Sequence, residues 1–198
     1  KQKTAYEIYQ CDWSSDVCSS DLRVAPAEKK AMSQPLKASA FSSSTKIWNA
    51  ARFCEMNGCK LVDGFDAAGV QNVVNRWIVS RLAVAIGDVE QALESYRFNE
   101  AAGALYQFAW GTYCDWYLEF AKPLFQSTDA AVVAETRATA AWVLGQLLHA
   151  LHPIMPFLTE ELWENLTEGR GKPLIAAEWP QHAASASDAA EEIGRAHV

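Results

Sequence analysis

Residues 74–93 read VNRWIVSRLAVAIGDVEQAL, and Val74, Ile78, Leu82, Ile86, Val89 and Leu93 recur every three or four positions. That step stacks apolar groups on one face of an α-helix. Gly87 weakens the helix without ending it. Similar stripes flank this one. Ser44 or Thr45 caps an earlier helix through Ile47, Trp48, Ala51, Arg52 and Met56, with Gly58 placed to end it. After a connection over 59–66 and the long helix, Asn99 caps a third, carrying Leu105, Phe108, Thr112, Trp116 and Phe120 and stopping near Pro123. Asp129 opens a fourth, with Val133, Ala140, Leu144, Leu147, Leu148 and Leu151. Pro156 suits the first turn of a fifth, containing Leu158, Leu162 and Leu166. No period-2 run precedes Pro180. The pattern therefore predicts an all-α fold, an antiparallel helical bundle over 45–180.

Composition agrees with one core-forming unit. The chain has 198 residues, 50% of them hydrophobic and 21% charged, and a mean hydropathy of -0.10. No stretch approaches the roughly 18 uninterrupted apolar residues of a membrane span, and the start lacks the basic-then-apolar order of a signal peptide. These features lead us to expect a cytoplasmic protein without a membrane partner. Lys and Arg number 17 against 24 Asp and Glu, a formal net charge of -7, which argues against gripping nucleic acid, DNA in particular, by bulk charge. Any RNA contact must be local. Five cysteines without a dense pattern fit reduced thiols.

The two ends read differently. Residues 16–22, DVCSSDL, can be encoded by GACGTGTGCTCTTCCGATCT, whose reverse complement, preceded by a G and read in that frame, encodes Glu192-Ile193-Gly194-Arg195-Ala196-His197-Val198. A sequencing adapter ligated to both ends of a DNA fragment does this automatically. Residues 1–22 and 192–198 are accordingly read as adapter-derived, 23–44 as a linker or out-of-frame segment, and 181–191 as a tail.

Chemical motifs are sparse. Cys54 and Cys59 lack a second Cys or His pair for a tetrahedral zinc site. His149 and His152, three apart near a helix end, suit the helix macrodipole better than a metal or a reaction. Glu160, Glu161 and Glu164 read as a solvated acidic face. There is no dinucleotide fingerprint, phosphate loop or nucleophile elbow. No catalytic residue and no metal ligand is expected. What remains is aromatic and basic. Asn49, Arg52 and Phe53 share one helical face, and Arg76, Trp77 and Arg81 cluster on the next helix. A planar donor beside a ring suits splayed RNA bases, which stack on aromatics and are read at their edges. The plainer alternative is that the rings belong to the core and the arginines to its rim.

Five blocks then follow in order and spacing: Lys46-Ile47-Trp48-Asn49-Ala50-Ala51-Arg52-Phe53, Asn75-Arg76-Trp77-Ile78-Val79-Ser80-Arg81-Leu82, Tyr96-Arg97-Phe98-Asn99-Glu100-Ala101-Ala102, Cys114-Asp115-Trp116-Tyr117-Leu118-Glu119, and residues 151–163, LHPIMPFLTEELW. Together they resemble valyl-tRNA synthetases of class Ia, over about 135 residues. The last block is similar to leucyl and isoleucyl relatives too. The resemblance implies a class Ia anticodon-binding helical bundle that binds the anticodon stem-loop of tRNA(Val) through Asn49, Arg52, Phe53, Arg76, Trp77 and Arg81. It also implies a parent enzyme using ATP and Mg2+, with a catalytic domain on the same polypeptide that has no counterpart in these residues. On this reading the chain needs no cofactor and is inactive alone. The same domain of another class Ia synthetase, or a helical protein-interaction module without RNA binding, are the alternatives.

Overall fold

The computed structural model describes residues 34–169 and 172–180, with side chains described from Thr45 onward. The adapter-like ends and the 181–191 tail lie outside the described residues. By its internal contacts the chain divides into a unit from Lys1 to Ala38 and one from Ser39 to Val198.

The helices are α1 (Gln34–Met56), α2 (Val73–Glu94), α3 (Phe98–Tyr106), a π-helix (Gln107–Tyr117), α4 (Leu118–Phe125), α5 (Ala130–Leu151) and α6 (Pro156–Leu166). Short 3-10 turns lie at Ala67–Gly69 and Leu174–Ala176. No strand occurs among the described residues. α1 starts ten residues before the Ser44 cap that the sequence offered, so part of the segment read as structureless is helical. Its other end matches expectation. Gly58 takes a φ of +71°, the Gly58 N–H donates to the Glu55 carbonyl at 3.0 Å, and the Cys59 N–H donates to the Cys54 carbonyl at 2.9 Å. This is a Schellman cap, which needs a left-handed residue where only Gly is at ease.

α5 is the axis of the bundle. Eleven of its residues are buried, and α2, α4 and α6 pack against it. Asp129 caps it by accepting the Ala131 N–H at 2.9 Å. α2 buries Ile78, Leu82, Ile86 and Val89 as its stripe predicts, while Val74 and Leu93 are half-buried. Its cap is Asn72, which accepts the Val74 N–H at 2.9 Å. α2 and α3 meet through a tight turn in which Tyr96, a non-glycine, holds a φ of +56°. Asn99 is not a cap, since it falls inside α3.

The third predicted helix exists but changes pitch. Phe98–Tyr106, the π-helix and α4 follow one another without a break in right-handed backbone, and Pro123 sits in the last turn, two residues before the end. In a π-helix the hydrogen bonds close at i+5. Buried positions therefore step by five, from Phe108 to Tyr113 and from Ala109 to Cys114, before returning to Tyr117, Leu118 and Ala121. The i+4 stripe of Phe108, Thr112, Trp116 and Phe120 is overturned by this reset: Phe108 is buried, but Trp116 is 56% and Phe120 38% exposed.

Two fully buried tyrosines occupy the inner face of the π-helix, their rings stacked at 5.6 Å. Tyr113 donates its hydroxyl to the Ala140 carbonyl of α5 at 3.1 Å and lies 3.3 Å from Cys54 Sγ of α1. Tyr117 donates to Asn75 Oδ1 of α2 at 3.1 Å. Asn75, itself buried, donates through Nδ2 to Glu135 Oε1 at 3.0 Å and to Thr136 Oγ1 at 3.1 Å. Glu135 also accepts the N–H groups of Gln71 and Asn72 at 3.1 and 2.9 Å. Burial pushes both tyrosine hydroxyls well above their ordinary pKa, so they remain donors.

Candidate nucleic-acid interface

Helical periodicity decides which side of each helix the polar donors occupy. On α1, Asn49 and Arg52 are exposed, while Phe53 is half-buried with its ring 6.0 Å from Phe125. On α2, Arg76 and Arg81 are exposed, and Trp77 is half-buried with its ring edge-on to Phe120 at 6.4 Å. Each donor thus borders a ring that is partly tied to the core. The two predicted groups meet through α4 as intermediary: Phe53 lands on Phe125 and Trp77 on Phe120. The donors are at the surface, and the rings are not free platforms.

Lys46 belongs to a different arrangement. Its ammonium sits 3.3 Å from the centre of the Trp110 ring and 3.4 Å from Asp115 Oδ1, which anchors α1 to the π-helix. The exposed rings that the stripe had assigned to the core extend the aromatic surface instead. Trp116 lies 5.8 Å from Phe120, which in turn meets Trp77. A signal for them existed in the sequence, in the five-residue spacing of Phe108 and Tyr113 and of Ala109 and Cys114.

The polar groups of the opposite end serve packing. His152 Nδ1 is 2.9 Å from Thr159 Oγ1 and 4.0 Å from Glu160 Oε2. His149 packs edge-on to Trp163 at 4.7 Å. Burial lowers its pKa, against a hydrogen bond that the ring donates to the Glu178 backbone, so it is a neutral ring rather than a cation at the helix end. Glu160 is not merely solvated either, since both its oxygens accept the Leu174 N–H, at 3.1 and 3.2 Å. Among the described residues no three His, Cys, Asp or Glu side chains come together as a metal site, and no helix is long and apolar enough to cross a membrane.

A mostly helical domain that presents asparagine and arginine beside partly exposed rings fits a class of single-strand RNA readers. Residues 75–197 match the model of the family described as the anticodon-binding domain of tRNA ligase, and the chain belongs to that family. Valine–tRNA ligases are its similar relatives. The Caulobacter vibrioides enzyme is 52% identical over 151 residues, which is 75% of this chain and 17% of that protein. The Brucella suis enzyme is 50% identical over 153 residues, again 75% and 17%, and that of Ruegeria pomeroyi is 52% identical over 146 residues, 72% and 14%. The chain thus spans about a sixth of the length of the curated relatives it matches.

Proposed function

We propose that this chain binds the anticodon stem-loop of a valine tRNA in the cytoplasm and positions that tRNA for a catalytic domain of the same polypeptide. The observation that carries the reading is the identity of about half its residues to valine–tRNA ligases over three quarters of its length. The geometry supports it. Asn49, Arg52, Arg76 and Arg81 offer donors at the surface, beside Phe53 and Trp77, on a domain whose net charge of -7 leaves recognition to local groups. ATP and Mg2+ would serve the joining of valine to tRNA elsewhere in the enzyme. The described residues do not bring together a side-chain cluster suited to Mg2+.

Two measurements test this reading. A bidentate Arg contact to a base, or a stacked ring, contributes roughly 1–3 kcal/mol. Arg52→Ala is therefore expected to weaken binding of a valine anticodon stem-loop by about tenfold or more, and to narrow the gap between that loop and one with a changed middle base. Equal losses on both loops would make Arg52 a phosphate contact, and no loss on either would favour a simple helix rim. The chain alone is also expected to show no valine-dependent pyrophosphate exchange; exchange by a preparation free of host synthetase would overturn its assignment as a binding domain only.

A further inference from the structure

α2 and the π-helix lie side by side and leave between them an open surface furrow of about 420 Å³ lined by Arg81, Ala85, Asp88, Gln107, Gly111 and Thr112, among others. That is within the roughly 300–1,000 Å³ of small-ligand sites. Its walls are mixed, with a guanidinium, a carboxamide, a hydroxyl and a carboxylate around the buried ring of Phe108. Gly111 leaves the wall open, for a Cβ built there would meet only Gln107 Oε1, at 3.9 Å. Trp77 precedes Arg81 by one turn of α2, and Trp116 follows Thr112 by about one turn of the π-helix. Trp77, Phe120 and Trp116 form a ladder of rings, two of them on the helices that line the furrow, with spacings of 6.4 and 5.8 Å, and its last ring is more than half exposed. Trp116 and the open wall at Gly111 both belong to an eleven-residue π-helix, a rare element often found at functional sites.

We propose that this furrow seats one unpaired nucleobase of a bound RNA loop, and that a neighbouring base stacks on Trp116. The proposal rests on the RNA-binding reading above and assigns Gln107, Gly111, Thr112, Trp116 and Phe120 to the interface. The chemistry favours a base over an aliphatic or purely anionic ligand. Arg81 and Gln107 can donate, Gln107 and Thr112 can accept, and Asp88 can accept an exocyclic amine while repelling a phosphate. A flat ring can use these groups edgewise while its face meets apolar carbon.

The test is a set of fluorescence-anisotropy titrations of a labelled valine anticodon stem-loop at fixed salt, with the full chain and its variants. Gly111→Leu adds bulk to the furrow and favours helix, so it is expected to leave thermal melting unchanged or raised while weakening binding about tenfold. Trp116→Ala is expected to lose about tenfold, and Trp116→Phe, which keeps a ring, to recover to within about threefold. Gln107→Ala is expected to cost more on the valine loop than on a loop altered at one anticodon base. Phe157→Ala, at a ring 91% exposed on α6, is the control and leaves affinity unchanged. If Gly111→Leu and Trp116→Ala bind like the unaltered chain while Arg52→Ala does not, the furrow is overturned and the RNA reading stands. If the unaltered chain binds no tRNA loop, both fall.

Discussion

Replacing Asn75 with Ala removes a side chain that ties α2, the π-helix and α5 together. Asn75 is fully buried and makes three hydrogen bonds, to Glu135, Thr136 and Tyr117, at 3.0, 3.1 and 3.1 Å. Their losses are unequal. Thr136 keeps a partner, since its hydroxyl also donates to the Val132 carbonyl at 2.8 Å. Glu135 keeps the Gln71 and Asn72 N–H groups but loses a charge-assisted bond, which contributes about 1.5–3 kcal/mol. Tyr117 is left with a buried, unsatisfied hydroxyl, costing about 1–3 kcal/mol. The expected destabilisation is therefore about 3–5 kcal/mol, a large share of a typical total of 5–15 kcal/mol. Tyr117→Phe orphans only the Asn75 carbonyl oxygen and is expected to cost about 1–3 kcal/mol. The double variant should cost at least about 0.5 kcal/mol less than the sum, because the pair is in direct contact. Urea unfolding followed by far-ultraviolet circular dichroism measures all three. A loss below about 1 kcal/mol for Asn75→Ala, or strict additivity, would refute this account of the network.

Two further outcomes follow from the backbone and the charges. Burial of Glu135 opposes its ionisation, but hydrogen bonds from Asn75, Asn72 and Gln71 outweigh it and hold its pKa below the ordinary value. Its contribution is then present above the unfolded carboxylate pKa of about 4.3 and is lost as pH falls through the folded value. The stability gap between the unaltered chain and Glu135→Gln should be widest near neutrality and shrink in acid; a gap constant with pH would contradict this. Tyr96 closes the α2–α3 turn at a φ of +56° with its side chain 81% exposed, so Tyr96→Gly is expected to stabilise the chain by about 0.5–1 kcal/mol. Thermal melting checks the sign, and a lower Tm would show that the Tyr96–Phe98 ring contact outweighs the backbone relief.

Helix existence was legible because the stripes of α2, α5 and α6 face one core, and because Asp129, Pro156 and Gly58 act through local geometry that needs no tertiary partner. The start of α1 was not legible: Ser and Ala between 38 and 44 are compatible with cap, linker or helix alike. The third stripe misled for a different reason. A fixed step of four assumes an α-helical pitch, and the π-helix breaks that assumption in mid-run, turning Trp116 and Phe120 outward and Tyr113 and Tyr117 inward. At the candidate site, residue type predicted exposure of the donors Asn49, Arg52, Arg76 and Arg81. It could not show that Phe53 and Trp77 would be partly claimed by Phe125 and Phe120, because those partners lie far along the chain.

Asn75 and Arg76 are neighbours in one motif yet serve opposite ends of the problem, and the helix explains how. Successive residues on α2 point about 100° apart, so Asn75, Ile78 and Leu82 face inward while Arg76 and Arg81 face outward, with Trp77 at the boundary. The π-helix makes the same division on its side, with Tyr113 and Tyr117 bound into the core and Trp116 exposed. The Tyr117 hydroxyl donates to Asn75, so the inner faces of these two elements are joined by a direct hydrogen bond. Changes at Asn75 or Tyr117 are therefore expected to act first on stability, whereas changes at the exposed Arg76, Arg81 or Trp116 are expected to act first on the surface.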